Sequence, residues 1–246
     1  MRWLFSCSAI LLLAACGGRR ATADPFAYDQ AAPLAPSRAT VFARSPWGTI
    51  RAFSFAGVDG TRVPAYIVVP RTRTRKPGVL LLHGSGGTRY DLIGEAALVA
   101  ERGAVALTIS YPSDAPTFRP LVVDARRALD LLAARNDVDP TRLGVVGFSL
   151  GAQLAAILAG DDRRVKAADV IAGRGTDVTL YWIRRATKAR LFFQAGTHDP
   201  VVPHAELLAL MDAAPGTPRI AWCSAGHELT PAIDRALTAW VSHTLG

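Results

Sequence analysis

Ser149 lies between two glycines in the pentapeptide Gly147-Phe148-Ser149-Leu150-Gly151. The apolar run 143–146 before it reads as a buried strand, and 150–158 after it reads as a helix. A serine at a sharp strand-to-helix turn presents its hydroxyl outward as a nucleophile. Glycine is needed on both sides because the backbones of strand and helix approach closely there. A serine hydroxyl is a weak nucleophile at neutral pH. It needs a base within hydrogen-bond reach, and the base needs a third group to orient it. The chain holds five histidines, His83, His198, His204, His227 and His243, scattered without an H-x-x-x-H or paired-cysteine spacing. No metal site is expected from that pattern. Gly84 to Gly87 is rich in glycine but lacks the lysine of a phosphate-binding loop, so no cofactor is expected either.

The elements that must position Ser149 follow from hydrophobic periodicity. The segment 49–55 partly alternates, Asp59-Gly60 is a turn signal, and 63–69 is apolar again, which predicts an antiparallel hairpin. Beyond it the pattern changes: 79–82 is a short continuous apolar run, as expected for a strand covered on both faces, and 104–109, 143–146, 165–171, 191–194 and 219–223 read as further strands. Helices are predicted between the earlier runs, over 90–101 (stopped by Gly103), 121–134 and 150–158. A last one is predicted after the Thr230-Pro231 cap. Strand alternating with helix at this spacing implies an α/β fold with a mostly parallel central sheet and helices on both faces. Ligands on such sheets sit beyond the carboxyl ends of the strands.

With those segments in view, the chain resembles an α/β-hydrolase from Trp47 to its C-terminus. Among the branches it is most similar to compact esterases related to dienelactone hydrolase, acetyl xylan esterase and prolyl oligopeptidase-type domains. The resemblance rests on Leu82-His83-Gly84-Ser85-Gly86-Gly87, Asp139-Pro140-Thr141-Arg142-Leu143, the Ser149 pentapeptide, Gly196-Thr197-His198-Asp199-Pro200-Val201-Val202-Pro203, and Gly226-His227. It implies the chain order nucleophile, acid, histidine. Asp199 and His227 then complete a triad with Ser149, both following strands whose ends share its edge of the sheet. Asp177 is the alternative acid. His198 and His204 belong to the acid's own loop and His243 to the last helix, so His227 is preferred. Glu228 reads as a solvated neighbour.

The resemblance also implies an oxyanion hole made by the amides of Leu150 and of Ser85, with Gly86 as the alternative to Ser85. His83 reads as a brace for that loop. Between 171 and 191 there is room for a short segment only, so a minimal cap is expected. Tyr111 and Trp182 are candidate pocket walls or ordinary packing, and Arg174, Arg184 and Arg185 a weak hint of an acidic substrate.

The N-terminus tells a separate story. Arg2 followed by an apolar run to Ala15 is too short to span a bilayer, which needs about 20 residues, and reads as an export signal. Leu13-Ala14-Ala15-Cys16 resembles a bacterial lipobox, which implies acylation of Cys16. The expected organisation is a signal peptide over 1–15, a lipid-anchored tether over 16–46 rich in Ala, Pro and polar residues, and a hydrolase domain over 47–246. The expected location is the cell envelope, at the outer membrane if the source is Gram-negative, since Gly17 rather than Asp follows the cysteine. Cys223 has no expected disulfide partner in the mature chain and reads as a small strand residue.

The formal charge is +8, mostly arginine, and the densest cluster, Arg71-Thr72-Arg73-Thr74-Arg75-Lys76, reads as an exposed loop. Nucleic acid is not an expected partner, because no recognition motif accompanies the charge. A small-molecule ester is the expected substrate, cleaved through a covalent serine ester. A peptidase or thioesterase with the same triad, or a non-catalytic envelope binding lipoprotein, are the alternatives.

Overall fold

The computed structural model describes residues 24–72 and 74–246. The expected signal peptide over 1–15, Cys16 and Arg73 lie outside the described residues. In chain order the strands are β1 (Thr40–Ser45), β2 (Gly48–Ala56), β3 (Arg62–Pro70), β4 (Lys76–Leu82), β5 (Val105–Ile109), β6 (Val138–Phe148), β7 (Val165–Ile171), β8 (Arg190–Gly196) and β9 (Arg219–Cys223). The helices are α1 (Ile93–Glu101), α2 (Phe118–Ala133), α3 (Leu150–Asp161), α4 (Asp177–Ile183), α5 (His204–Ala213) and α6 (Pro231–Leu245).

The sheet order is β1-β2-β3-β5-β4-β6-β7-β8-β9. From β5 to β9 every neighbouring pair is parallel, and β1, β2, β3 and β5 pair antiparallel. Each parallel strand is joined to the next through a helix, which is the connection parallel pairing requires. Side chains alternate across the sheet. Leu80, Val145, Ala168 and Phe193 join a core with α2, α3, α4 and α5, while Leu81, Val146, Ala167 and Ile171 join a second core with α1 and α6. The expected α/β architecture, with helices on both faces, is what the chain forms. Gly103 stops α1 with φ of +93°, and Thr230 caps α6 by accepting from the Ile233 amide, also as the sequence indicates.

Three expectations need correction. Regular structure begins at Thr40, not Trp47, because β1 adds an edge strand to β2. Over residues 24–46 the chain packs against the domain instead of hanging from it as a tether. Phe26 is buried with its ring 5.4 Å from that of Trp182, Tyr28 donates to Asp130 Oδ2 at 2.8 Å, and Asp24 pairs with Arg126 at 3.1 Å. These anchors are isolated among Ala and Pro, and β1 faces solvent along most of its length, so neither leaves a periodic signal. Lys76, assigned to the basic loop, instead opens β4 and is buried.

Asp124 on α2 ties the helix to the 57–61 turn by accepting from the Val58 amide at 2.6 Å. Burial pushes its carboxyl up to about 6, partly offset by that amide and by Arg127. A carboxyl raised on folding stabilises when protonated, and that contribution is lost as pH rises through the folded value. Thermal stability that depends on Asp124 should therefore grow as pH falls through about 6, by roughly 1 kcal/mol at about pH 5 and approaching roughly 3 kcal/mol only below the unfolded value. Asp124→Asn should flatten this part of the curve. Identical pH profiles of Tm for the two proteins would refute the assignment.

Candidate active site

Ser149 caps α3 directly after β6, with φ of +55° and ψ of −113°. A non-glycine residue in that region carries about 1–3 kcal/mol of strain, held by its surroundings. What holds it is close packing of backbone on backbone. A Cβ on Gly147 would lie 2.0 Å from the Gly151 carbonyl oxygen, and one on Gly151 would lie 2.0 Å from the Leu82 carbonyl oxygen. The Ser149 amide donates to Ile171 O at 2.9 Å, which ties the turn to β7. The hydroxyl is thus lifted above the carboxyl edge of the sheet.

Two loops from neighbouring strands converge on it. His227, four residues beyond β9, places Nε2 2.9 Å from Ser149 Oγ. Its Nδ1 lies 2.8 Å from Asp199 Oδ2, in the loop after β8. A carboxylate can only accept, so Nδ1 carries the proton and Nε2 is free to accept from the serine. The Asp199 side chain is 1% exposed and that of His227 15%. Burial alone raises the Asp199 carboxyl. The bond from His227 and the amides of Val202 and Val201, which donate to Oδ1, outweigh this and hold it below the ordinary carboxylate range. Phe148 packs its ring 5.0 Å from the imidazole.

The loop after β4 lies beside the serine: a Cβ on Gly84 would touch Ser149 Cβ at 3.3 Å. The Gly87 amide donates to Gly84 O across a turn whose third residue, Gly86, has φ of +73°, as a type II turn demands. The Gly86 amide is occupied by Ser113 Oγ at 2.7 Å. The Ser85 amide has no acceptor among the described residues, and the Leu150 amide belongs to the first turn of α3, where helix amides lack partners. Ser85 and Leu150, rather than Gly86, are therefore the amides available to a developing anion.

His83 braces this loop. It is buried, and burial lowers its affinity for a proton. Its Nδ1 lies 2.7 Å from Gly84 O, and its ring stacks on Tyr111 at 4.0 Å. The Tyr111 hydroxyl donates to His83 O. Ser113 was not anticipated. Its only signal in the sequence is its place just after a strand end.

Residues 111–218 match the dienelactone hydrolase family. Among solved structures, acetyl xylan esterase 1 from Thermoanaerobacterium sp. JW/SL YS485 superposes with a TM-score of 0.73 at 15% identity, over 87% of this chain and 89% of that one. Acetyl xylan esterase from Paenibacillus sp. R4 gives 0.69 at 20% identity, over 87% and 90%. This is the α/β-hydrolase fold. Curated relatives with detectable sequence similarity include an uncharacterized protein of Mycobacterium tuberculosis, 31% identical over 41% of this chain and 38% of that one. The alpha/beta hydrolase domain-containing protein WAV2 of Arabidopsis thaliana is 25% identical over 51% and 41%. The chain matches less than half the length of either relative.

Within the hydrolase fold the remaining candidates fall elsewhere. Asp177 starts α4 behind its Thr176 cap and is exposed. His198 is exposed beside Thr197, His204 meets Gly196 O at the start of α5, and His243 sits in the last turn of α6. Glu228 is exposed, yet it accepts from the Gly226 amide and so shapes the histidine loop. Tyr111 stacks on His83 and Trp182 packs on Phe26, and neither lines the cavity beside Leu150. Arg174 pairs with Glu206 and donates to Val201 O, which steadies the Asp199 loop. Arg184 and Arg185 follow α4, at the opposite end of the sheet. Cys223 is half-buried in β9 and has no disulfide partner among the described residues. Among the described residues no cluster of His, Cys, Asp or Glu is arranged to hold a metal, and no helix is long and apolar enough to cross a membrane.

A cavity of about 130 Å³ adjoins Leu150, lined by Ser113, Pro116, Phe118 and Leu121 among others. A larger one, about 610 Å³, lies on the open face of β2 and β3 around Arg51, Phe53 and Ile67 and touches none of Ser149, Asp199 and His227.

Proposed function

We propose that this chain is a serine hydrolase that cleaves small carboxylic esters through an acyl-enzyme on Ser149. The observation that carries the reading is the unbroken relay of 2.8 Å from Asp199 to His227 and 2.9 Å from His227 to Ser149. Ser149 attacks the ester carbonyl as His227 takes its proton. The amides of Ser85 and Leu150 stabilise the oxyanion, each donor contributing about 3 kcal/mol. His227 returns the proton to the leaving alcohol, then activates the water that releases the acid. Asp199 holds the imidazole tautomer and stabilises the imidazolium.

The dimensions of the cavity beside Leu150 favour a short acyl group, since pockets for larger ligands run to about 300–1,000 Å³. The acetyl xylan esterases among the solved neighbours favour acetyl esters of carbohydrates as the substrate class. A peptidase or thioesterase would use the same three residues, and a binding lipoprotein would use none of them. Labelling with a fluorophosphonate and turnover of a panel of short acyl esters, thioesters and peptide amides separate these. No labelling of Ser149 would end the hydrolase reading. Acylation at Cys16 and an envelope location form part of the proposal, and mass spectrometry of the mature N-terminal peptide tests them. An unmodified Cys16 would refute the anchor.

The loop geometry adds a smaller test. With Ser113→Ala the Gly86 amide loses its acceptor and the turn that aims Ser85 loses a support. The kcat should fall by about tenfold, the effect of weakening one donor rather than removing it, with KM little changed. A rise in KM alone would place Ser113 in substrate binding instead.

A further inference from the structure

Because β4 to β9 run parallel, every connection lies at one of two rims. The carboxyl rim holds Ser149, Asp199 and His227. Its exposed charges are largely acidic, with Asp91, Asp114 and Glu228 in the loops that follow the strands and Asp177 at the start of α4. Of the cations there, Arg89 is engaged by the carbonyls of Phe53 and Ala65, Arg119 by that of Ala27 and Arg174 by Glu206, while Arg235 in α6 has no ion pair among the described residues. The amino rim is the reverse. Arg71 and Arg75 precede β4, Arg163 precedes β7, and Arg184, Lys188 and Arg190 lie before or at the start of β8. All six are exposed, and none has an ion pair among the described residues. Of the acids of that rim, Asp137, Asp139 and Asp162 are matched by Arg135, Arg142 and Arg164, and the exposed Glu101 and Asp212 are outnumbered by the six cations together with the exposed Arg102 and Arg219.

From this asymmetry we infer that the amino rim is a docking surface for an anionic phospholipid bilayer, and that it turns the Ser149 rim toward the aqueous side. The cations follow the edge of the sheet across neighbouring strands about 4.8 Å apart, which makes a broad front and not a groove. A broad basic front with no recognition element suits lipid headgroups better than nucleic acid. The two rims are separated by the seven residues of β7, roughly 23 Å at strand rise. That exceeds the screening length of about 8–10 Å, so the acidic rim does not cancel the attraction. The described chain also begins at this end. Asp24 is held by Arg126, which in turn contacts Asp161 at the end of α3, and 23 residues precede it, including the apolar run. The orientation rests on the reading of Ser149 as the reactive centre, whereas the docking does not.

The test uses the full chain with Cys16→Ala, so that no acyl group contributes. Co-sedimentation is measured with vesicles of phosphatidylcholine alone and of phosphatidylcholine with about one-third phosphatidylglycerol. The apolar run 3–15 would bind both alike, whereas the rim, together with Arg2, Arg19 and Arg20 of the leader, gives binding that needs phosphatidylglycerol and is lost in high salt, and the rim's share is read from the variants that follow. Adding Arg184→Gln, Lys188→Gln and Arg190→Gln should lower that anionic partition by at least about 20-fold. The same charge change at Arg38, Arg51 and Arg235, away from the rim, should lower it far less. No preference for phosphatidylglycerol, or equal losses in the two variants, overturns the docking surface. Tighter binding to duplex DNA than to these vesicles at matched salt overturns the choice of partner. Saturating vesicles should leave hydrolysis of a water-soluble ester unchanged, and inhibition would overturn the orientation. A protein inactive without vesicles would count against the hydrolase reading and leave the binding result standing.

Discussion

Ser149→Ala is expected to lower kcat on a short acyl ester by at least about 10⁴-fold with little change in KM. The substitution removes the only atom that can form the covalent ester and leaves the remaining machinery in place. Alanine at this position still needs the positive φ, and the backbone contacts of Gly147 and Gly151 that impose it are untouched. Circular dichroism and Tm should therefore match the parent, so the loss reads as chemistry and not unfolding. Fluorophosphonate labelling should vanish together with turnover. A variant that keeps most of its hydrolysis would move the reaction to another part of the molecule.

Asp199→Asn should be nearly as damaging, about 10⁴-fold in kcat. The amide fits the same space, and its carbonyl oxygen can still accept from Val201 and Val202. Its NH2 group then faces His227 Nδ1 and donates to it. The imidazole answers by carrying its proton on Nε2, where it points at Ser149 and can no longer accept. The sign of the pH effect follows from Asp199 itself. Its carboxyl is held below the ordinary range, so in the parent it is ionised throughout the neutral region, and its share of activity and stability is lost only in acid as pH falls through the folded value. The variant should be impaired at every pH, with no recovery on the alkaline side short of direct hydroxide attack. Loss of less than tenfold would show that another acid, with Asp177 the first to test, orients the histidine.

Much of the site was legible in the residues because its parts are local. A serine between glycines at a strand end announces a turn that only glycine neighbours permit, and the Asp199 and His227 loops each follow a short apolar run. The parts that were not legible depend on distance in the chain. Ser113 bonds Gly86 across 27 positions, and nothing at either end marks the pairing. Helix α5, with only Leu207 and Leu210 buried, has too narrow an apolar stripe to stand out from a loop. The segment from Asp24 reads as linker because proline and alanine dominate it, yet three separated side chains attach it to α2 and α4.

The sequence alone determined the alternation of the parallel strands with helices α1, α2, α3 and α6, the parallel character of the sheet and the place of Ser149 at a strand-to-helix turn, because periodicity, glycine spacing and turn chemistry are short-range properties. Only the tertiary structure decided which carboxylate meets His227, which amide of the 84–87 loop is left open, and which way the basic loops face. Those choices depend on strand register and on contacts between residues many tens of positions apart. A linear pattern of residue types carries no direct record of such distances.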